Sequence, residues 1–163
     1  MKVHLLLVAC LISGCSTAPK SKLPPELVYL PPTEPAESLA YVKGQIVKSK
    51  MPLFDNFNTY VYAIDGKHVR ADRKSWASPV ALLAGKRIIT AAFERGVYMA
   101  FAKVEVSIVP GSAYEVRSDC PSSPIGKPYK FCDFWVVDLS SEKPVSEVMR
   151  ARVGGEVPTV IIL

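Results

Sequence analysis

The sequence predicts an all-β chain, an antiparallel β-sandwich of about seven to nine strands, and three observations carry that expectation. From about Ala40 onward apolar and polar residues alternate with a period of two. Turn-forming pairs, Asp65-Gly66, Ala84-Gly85, Arg95-Gly96 and Pro110-Gly111, separate the alternating runs, and each can reverse the chain. The only helix candidate is Ser140–Val148, which Pro144 interrupts. The chain has 163 residues, 49% of them hydrophobic, enough for one buried core and too apolar for a wholly disordered chain.

The clearest strand is Val97–Ile108. Ala100, Ala102, Val104, Val106 and Ile108 share one face, and Lys103, Glu105 and Ser107 the other, as a half-buried antiparallel strand requires. Asn58–Ile64, Arg87–Phe93, Tyr114–Cys120 and Phe131–Leu139 are rich in aromatic and β-branched residues and read the same way. Only a short gap at Arg95-Gly96 separates Lys86–Glu94 from Val97–Val109, which predicts a hairpin. The apolar end, Val157–Leu163, reads as a closing strand.

Upstream of this domain the chain has a different character. Met1-Lys2 followed by the apolar run Leu5–Ile12 reads as a secretory signal, far short of the roughly 20 apolar residues that span a bilayer as a helix. Ile12-Ser13-Gly14-Cys15 resembles the lipobox of bacterial lipoproteins. The resemblance implies cleavage before Cys15 and lipidation of its thiol. Ser16, where an Asp would retain such a protein at the inner membrane, implies sorting to the periplasmic face of the outer membrane. A plain signal peptide cut near Ala18 is the competing reading.

The organisation is then 1–14 signal, 15–39 lipidated cysteine and Pro-rich linker, and 40–163 domain. Pro19, Pro24, Pro25, Pro31, Pro32 and Pro35 favour an extended tether, and about twenty such residues reach roughly 60 Å. Two readings of Leu27–Leu30 stand: part of a free tether, or an edge strand docked on the domain.

Tyr60–Val69, with its Asp65-Gly66-Lys67 turn, followed by Leu82–Thr90, resembles small extracytoplasmic β-sandwich modules of the PEGA-like kind. Ala84-Gly85-Lys86 stands where those modules carry a Pro-Gly-His type of turn. With the lipobox, the whole is similar to small bacterial envelope lipoproteins, which implies a location and a fold but no catalytic residues.

Of four cysteines, Cys10 falls in the signal and Cys15 at the proposed lipid. Cys120 and Cys132 remain, and two thiols in an exported domain read as one disulfide closing a hairpin loop. Zinc needs more ligands than two cysteines and a distant His68 supply, and a redox pair has closer spacing.

With the signal removed His68 is the last histidine, which limits acid–base chemistry near neutral pH. Ser75 and Ser78 lack a Gly-x-Ser-x-Gly frame, no Gly-rich phosphate loop is present, and Asp133 and Asp138 form no recognisable catalytic pair. The expectation is a non-enzymatic chain without cofactor or metal.

Net charge is +5, and Lys67, Arg70, Arg73 and Lys74 concentrate it around His68, with Trp76 behind. This segment reads either as a contact for an anionic envelope partner or as a solubilising loop. Phe134 and Val136 share parity with Cys132 and should face the core, leaving Trp135 and Val137 outward. Trp135 is then a contact residue or lies under a flanking segment. The functional expectation is an outer-membrane-anchored binding or assembly module, held to the membrane through its lipid, meeting an envelope protein or anionic ligand and no nucleic acid. An accessory lipoprotein of a secretion or trans-envelope machine is one alternative. An envelope enzyme or inhibitor working through Pro121–Lys130 is the other.

Overall fold

The computed structural model describes residues 23–49, 55–69, 75–121 and 129–154. Among them are eleven strands and, besides these, only two three-residue 3-10 turns, Pro25–Leu27 and Ala36–Ser38. No helix among the described residues is long and apolar enough to cross a membrane. The strands are β1 (Leu39–Lys43), β2 (Gln45–Val47), β3 (Phe57–Ile64), β4 (Lys67–His68), β5 (Val80–Leu83) and β6 (Gly85–Arg95). They continue as β7 (Tyr98–Ile108), β8 (Ala113–Asp119), β9 (Phe131–Asp138), β10 (Lys143–Pro144) and β11 (Met149–Arg152).

They form two packed sheets, as the alternation predicts, with antiparallel strand pairs except that β1 runs parallel to β8. One runs β2-β3-β6-β7 with β4 beside β3; the other runs β10-β9-β8-β1-β5 with β11 beside β9. The count exceeds the expected range because β4 and β10 are two-residue pieces and because near-continuous strands break where they change sheet.

The β6–β7 hairpin is in register from Gly85↔Ile108 to Arg95↔Tyr98, closed by Gly96-Val97, one residue later than the sequence suggests. Its faces follow the predicted parity: Ala100, Val104, Val106 and Ile108 are buried, while Lys103, Glu105 and Ser107 are exposed. A bulge between Val61 and Ala63 on β3 turns Tyr62 and Ala63 toward the same side. Asp65 (φ 48°) and Gly66 (φ 79°) then make the left-handed two-residue turn into β4.

The core lies between the sheets around Ile64, Ile89 and Phe93 from one and Val42, Val116 and Phe134 from the other, all at most 1% exposed. Thr59 Oγ1 and Ser118 Oγ share a 2.6 Å hydrogen bond across the gap. No buried side-chain nitrogen or oxygen among the described residues lacks a partner, as a tightly packed interior requires.

Ala84-Gly85 does not reverse the chain. It bends it, carrying one nearly continuous strand from β5 in one sheet to β6 in the other. Arg87 holds this corner: Nε donates to Leu83 O (3.0 Å), Nη2 to Ala84 O (3.1 Å) and Nη1 to Asp65 Oδ2 (3.0 Å). A second corner lies at Gly44, between β1 and β2, and a third at the Pro110-Gly111 turn between β7 and β8.

The helix candidate Ser140–Val148 is instead a loop, β10 and an irregular edge. Asp138 Oδ1 accepts Ser140 N–H (2.8 Å) and Ser141 N–H (2.9 Å), and these local bonds satisfy the backbone without a helix. The expected closing strand, Val157–Leu163, lies outside the described residues.

Of the two readings of Leu27–Leu30, contact with the domain is the one seen, as a single bridge and not a strand. Val28 pairs in parallel with His68 and is 7% exposed; Tyr29 N–H donates to His68 O (2.8 Å) and its hydroxyl to Ala81 O (2.9 Å). Tyr29 thereby caps a carbonyl on the edge strand β5.

Candidate functional site

Cys120 and Cys132 are joined by a disulfide, as expected. Asp119↔Asp133 is the last pair of β8 and β9, so the two cysteines continue the register with Cα atoms 4.2 Å apart. Cross-linking residues 12 apart contributes about 3 kcal/mol in the chain-entropy picture. Phe134 and Val136 share the buried face with Cys132, as their parity predicts.

Val137 does not face water as expected: it is 1% exposed. Val137 pairs with Glu115 on β8 and Pro144 on β10, and Arg117 on β8 reaches Glu142, in the loop after β9, at 2.8 Å. The same guanidinium donates from Nε to Glu115 (2.8 Å), which also meets Lys43 (3.4 Å). Hydrogen bonds donated to Glu115 and then to Glu142 raise the Arg117 pKa above its ordinary value. Trp135, directly opposite Arg117, is half-buried at the edge of this network.

Trp76 requires a correction. It is 8% exposed and stacks on Tyr60 at 4.1 Å and 3°, on the outer face of the β3–β6 sheet over Ala92. The sequence shows an aromatic behind a basic run, but not that a large flat ring finds a second ring to cover. Trp76 is therefore a packing residue. Lys67 is exposed, beside the Asp65-Gly66 turn; Arg70, Arg73 and Lys74 lie outside the described residues, as does Cys15. His68 is half-buried edge-on to Tyr62 at 4.6 Å, and burial lowers its pKa. No group of three His, Cys, Asp or Glu among the described residues is placed to hold a metal ion.

A cluster the sequence did not single out lies where β9 begins and β11 ends. Arg150 donates Nε to Asp133 Oδ1 (2.7 Å) and Nη2 to Oδ2 (2.8 Å), while its carbon Cζ sits 4.1 Å above the Phe131 ring. This two-pronged bond holds the Asp133 carboxyl below its ordinary pKa and raises that of Arg150. Arg150, Arg152, Lys130, Tyr129, Phe131 and Val153 line an open cleft of about 560 Å³, with no carboxylate among the described residues of its wall. The pairing Arg150↔Asp133 and Arg152↔Phe131 puts both arginines on one face, about 7 Å apart.

Behind the cleft Tyr129 plugs the end of the sandwich. Its ring meets Tyr98 (5.3 Å), Phe93 (6.0 Å) and Phe57 (6.5 Å), and its hydroxyl accepts from Arg95. The Gly96-Val97 turn stands at this same end, whereas the N-terminal segment joins the domain at the other, where Gly111 N–H bonds Leu39 O at 2.7 Å. Sequence reading found the aromatic concentration but not the cations, because Arg150 and Arg152 join it only through strand pairing.

Comparison of the chain with known proteins finds no match to a family, a curated protein or a solved structure.

Proposed function

We propose that the protein is a lipoprotein anchored through Cys15 to the periplasmic face of the outer membrane, and that its sandwich, a PEGA-like module, is a non-catalytic binding or assembly unit of the envelope. The observation that carries the reading is Ile12-Ser13-Gly14-Cys15, followed by a Pro-rich segment that leads into a disulfide-stapled sandwich. A bonded cysteine pair fits an oxidising compartment. Attachment of the N-terminal segment at one end leaves the opposite end, with its basic and aromatic groups, and the Trp135 edge open to a partner.

Labelled palmitate incorporated into the wild-type protein and lost in Cys15→Ala, with the variant leaving the outer-membrane fraction, is the expected result. Unchanged labelling or unchanged fractionation overturns the anchor. Crosslinking in intact cells, followed by mass spectrometry, tests the assembly role: a saturable partner lost with Trp135→Ala or Lys67→Glu supports it, and partners unaffected by both place the contact elsewhere.

A further inference from the structure

We infer that the end of the sandwich carrying the Lys130, Arg150 and Arg152 cleft is a docking surface for anionic phospholipid headgroups. Among the described residues its charge is unbalanced. Asp133 neutralises Arg150, but Lys130 and Arg152 are exposed and form no ion pair with a described residue. Of the other described acids, Asp119 belongs to β8, on the side of β9 away from β11, and Asp55 lies by Gly96 of the hairpin tip, where its carboxylate would meet a Cβ at 2.9 Å. Clamped between Asp133 and Phe131, Arg150 keeps N–H groups that Asp133 does not use on a side chain 62% exposed, so one donor of the set is already ordered before a ligand arrives.

Phosphate oxygens suit such a fork. The apolar groups at the same end distinguish a lipid surface from a free anion. Val97, at the hairpin tip, is 89% exposed, and its neighbour Tyr98 lies against Tyr129 of the cleft. Gly154, next to cleft residue Val153, donates to Met99 O at 2.7 Å, which ties the β11 end to the strand that carries this tip. A protruding aliphatic side chain beside cations and half-buried aromatic rings matches the headgroup region, where rings sit at the interface and cations meet phosphates. That this end faces away from the chain's own anchor rests on the preceding reading; the headgroup site itself does not.

The test uses the full chain in dodecyl maltoside and isothermal titration calorimetry with dihexanoyl phosphatidylglycerol, dihexanoyl phosphatidylcholine and inorganic phosphate. The phosphatidylglycerol is expected to bind at least about tenfold more tightly than the other two, and to weaken about tenfold in Lys130→Glu/Arg152→Glu. Val97→Asp is expected to weaken the lipid and not phosphate. Lys86→Glu/Lys103→Glu makes the same charge change on strands β6 and β7 and should leave binding intact. Equal loss in that control reduces the effect to net charge and overturns the site. Unchanged binding in Lys130→Glu/Arg152→Glu, or no preference for the anionic lipid, also overturns it. Phosphate binding as tight as the lipid and indifferent to Val97→Asp shows a free-oxyanion site in its place. None of these outcomes depends on acylation of Cys15, which palmitate labelling tests separately.

Discussion

The chain changes sheets at Gly44 and at Gly85, and the two corners need glycine for opposite reasons. At Gly44 a Cβ atom would lie 2.2 Å from Thr59 O, 2.7 Å from Trp76 O and 2.7 Å from Tyr60 Cα, all backbone atoms that cannot move aside. Gly44 N–H donates to Trp76 O at 3.2 Å, so the strand, the Trp76 turn and β3 converge on a place with no room for a side chain. At Gly85 a Cβ would meet nothing within 4 Å, but φ is +109°, a conformation that side chains disfavour. The first corner is limited by space and the second by backbone torsion. The second is also held from outside, by Arg87 and Asp65.

The difference can be broken by substitution. Gly44→Ala is expected to have the largest effect, destabilising by about 3 kcal/mol or more in urea unfolding, because rigid backbone must separate. It should also disturb the tryptophan fluorescence, since Trp76 sits over the same contact. A loss below about 1 kcal/mol refutes the close approach. Gly85→Ala is expected to lose less, about 1 to 2 kcal/mol, the strain of a left-handed torsion with no clash added. Gly85→Ala and Gly44→Ala equal in effect would mean that both corners are limited by the same term.

The smallest expected effect is pH-dependent and lies near the Gly85 corner, where β4 meets the N-terminal segment. Burial lowers the His68 pKa below 6.5, so the folded state favours the neutral ring. Its contribution is present above pH 6.5 and is lost as pH falls through the folded-state value. Thermal midpoints measured from pH 8 to 5 should fall in the wild type, with the part due to His68 absent in His68→Asn; parallel curves refute this. Proteolysis between Val28 and Leu39 should accelerate over the same interval, because His68 also holds Val28 and Tyr29.

Much of the fold is legible along the sequence. The parity of Ala100 to Ile108, the turn at Asp65-Gly66 and the burial of Phe134 and Val136 beside Cys132 all follow from period two and turn chemistry, because neighbours in sequence dictate them. Ala84-Gly85 shows where such reasoning stops. An Ala-Gly pair signals a change of direction, but whether the chain reverses or passes to the other sheet depends on Arg87 and Asp65, contributed from β6 and from the β3–β4 turn. Trp76 and Val137 depart from the sequence expectation for the same reason. Trp76 stacks on Tyr60, and Val137 lies between Glu115 and Pro144, partners that other strands supply.

By itself the sequence determined the all-β character, the pairing of the long hairpin and the Cys120–Cys132 pair expected to form a disulfide, and it holds the lipobox-like stretch on which the proposed anchor rests. These depend on local periodicity, on short turns and on composition. Tertiary structure alone decided which glycine is sterically confined, which tryptophan is covered, and that Lys130, Arg150 and Arg152 share one cleft at the end opposite the N-terminal segment. Cross-strand pairing makes neighbours of residues some twenty positions apart, and no periodicity within a strand records which partner will lie beside it.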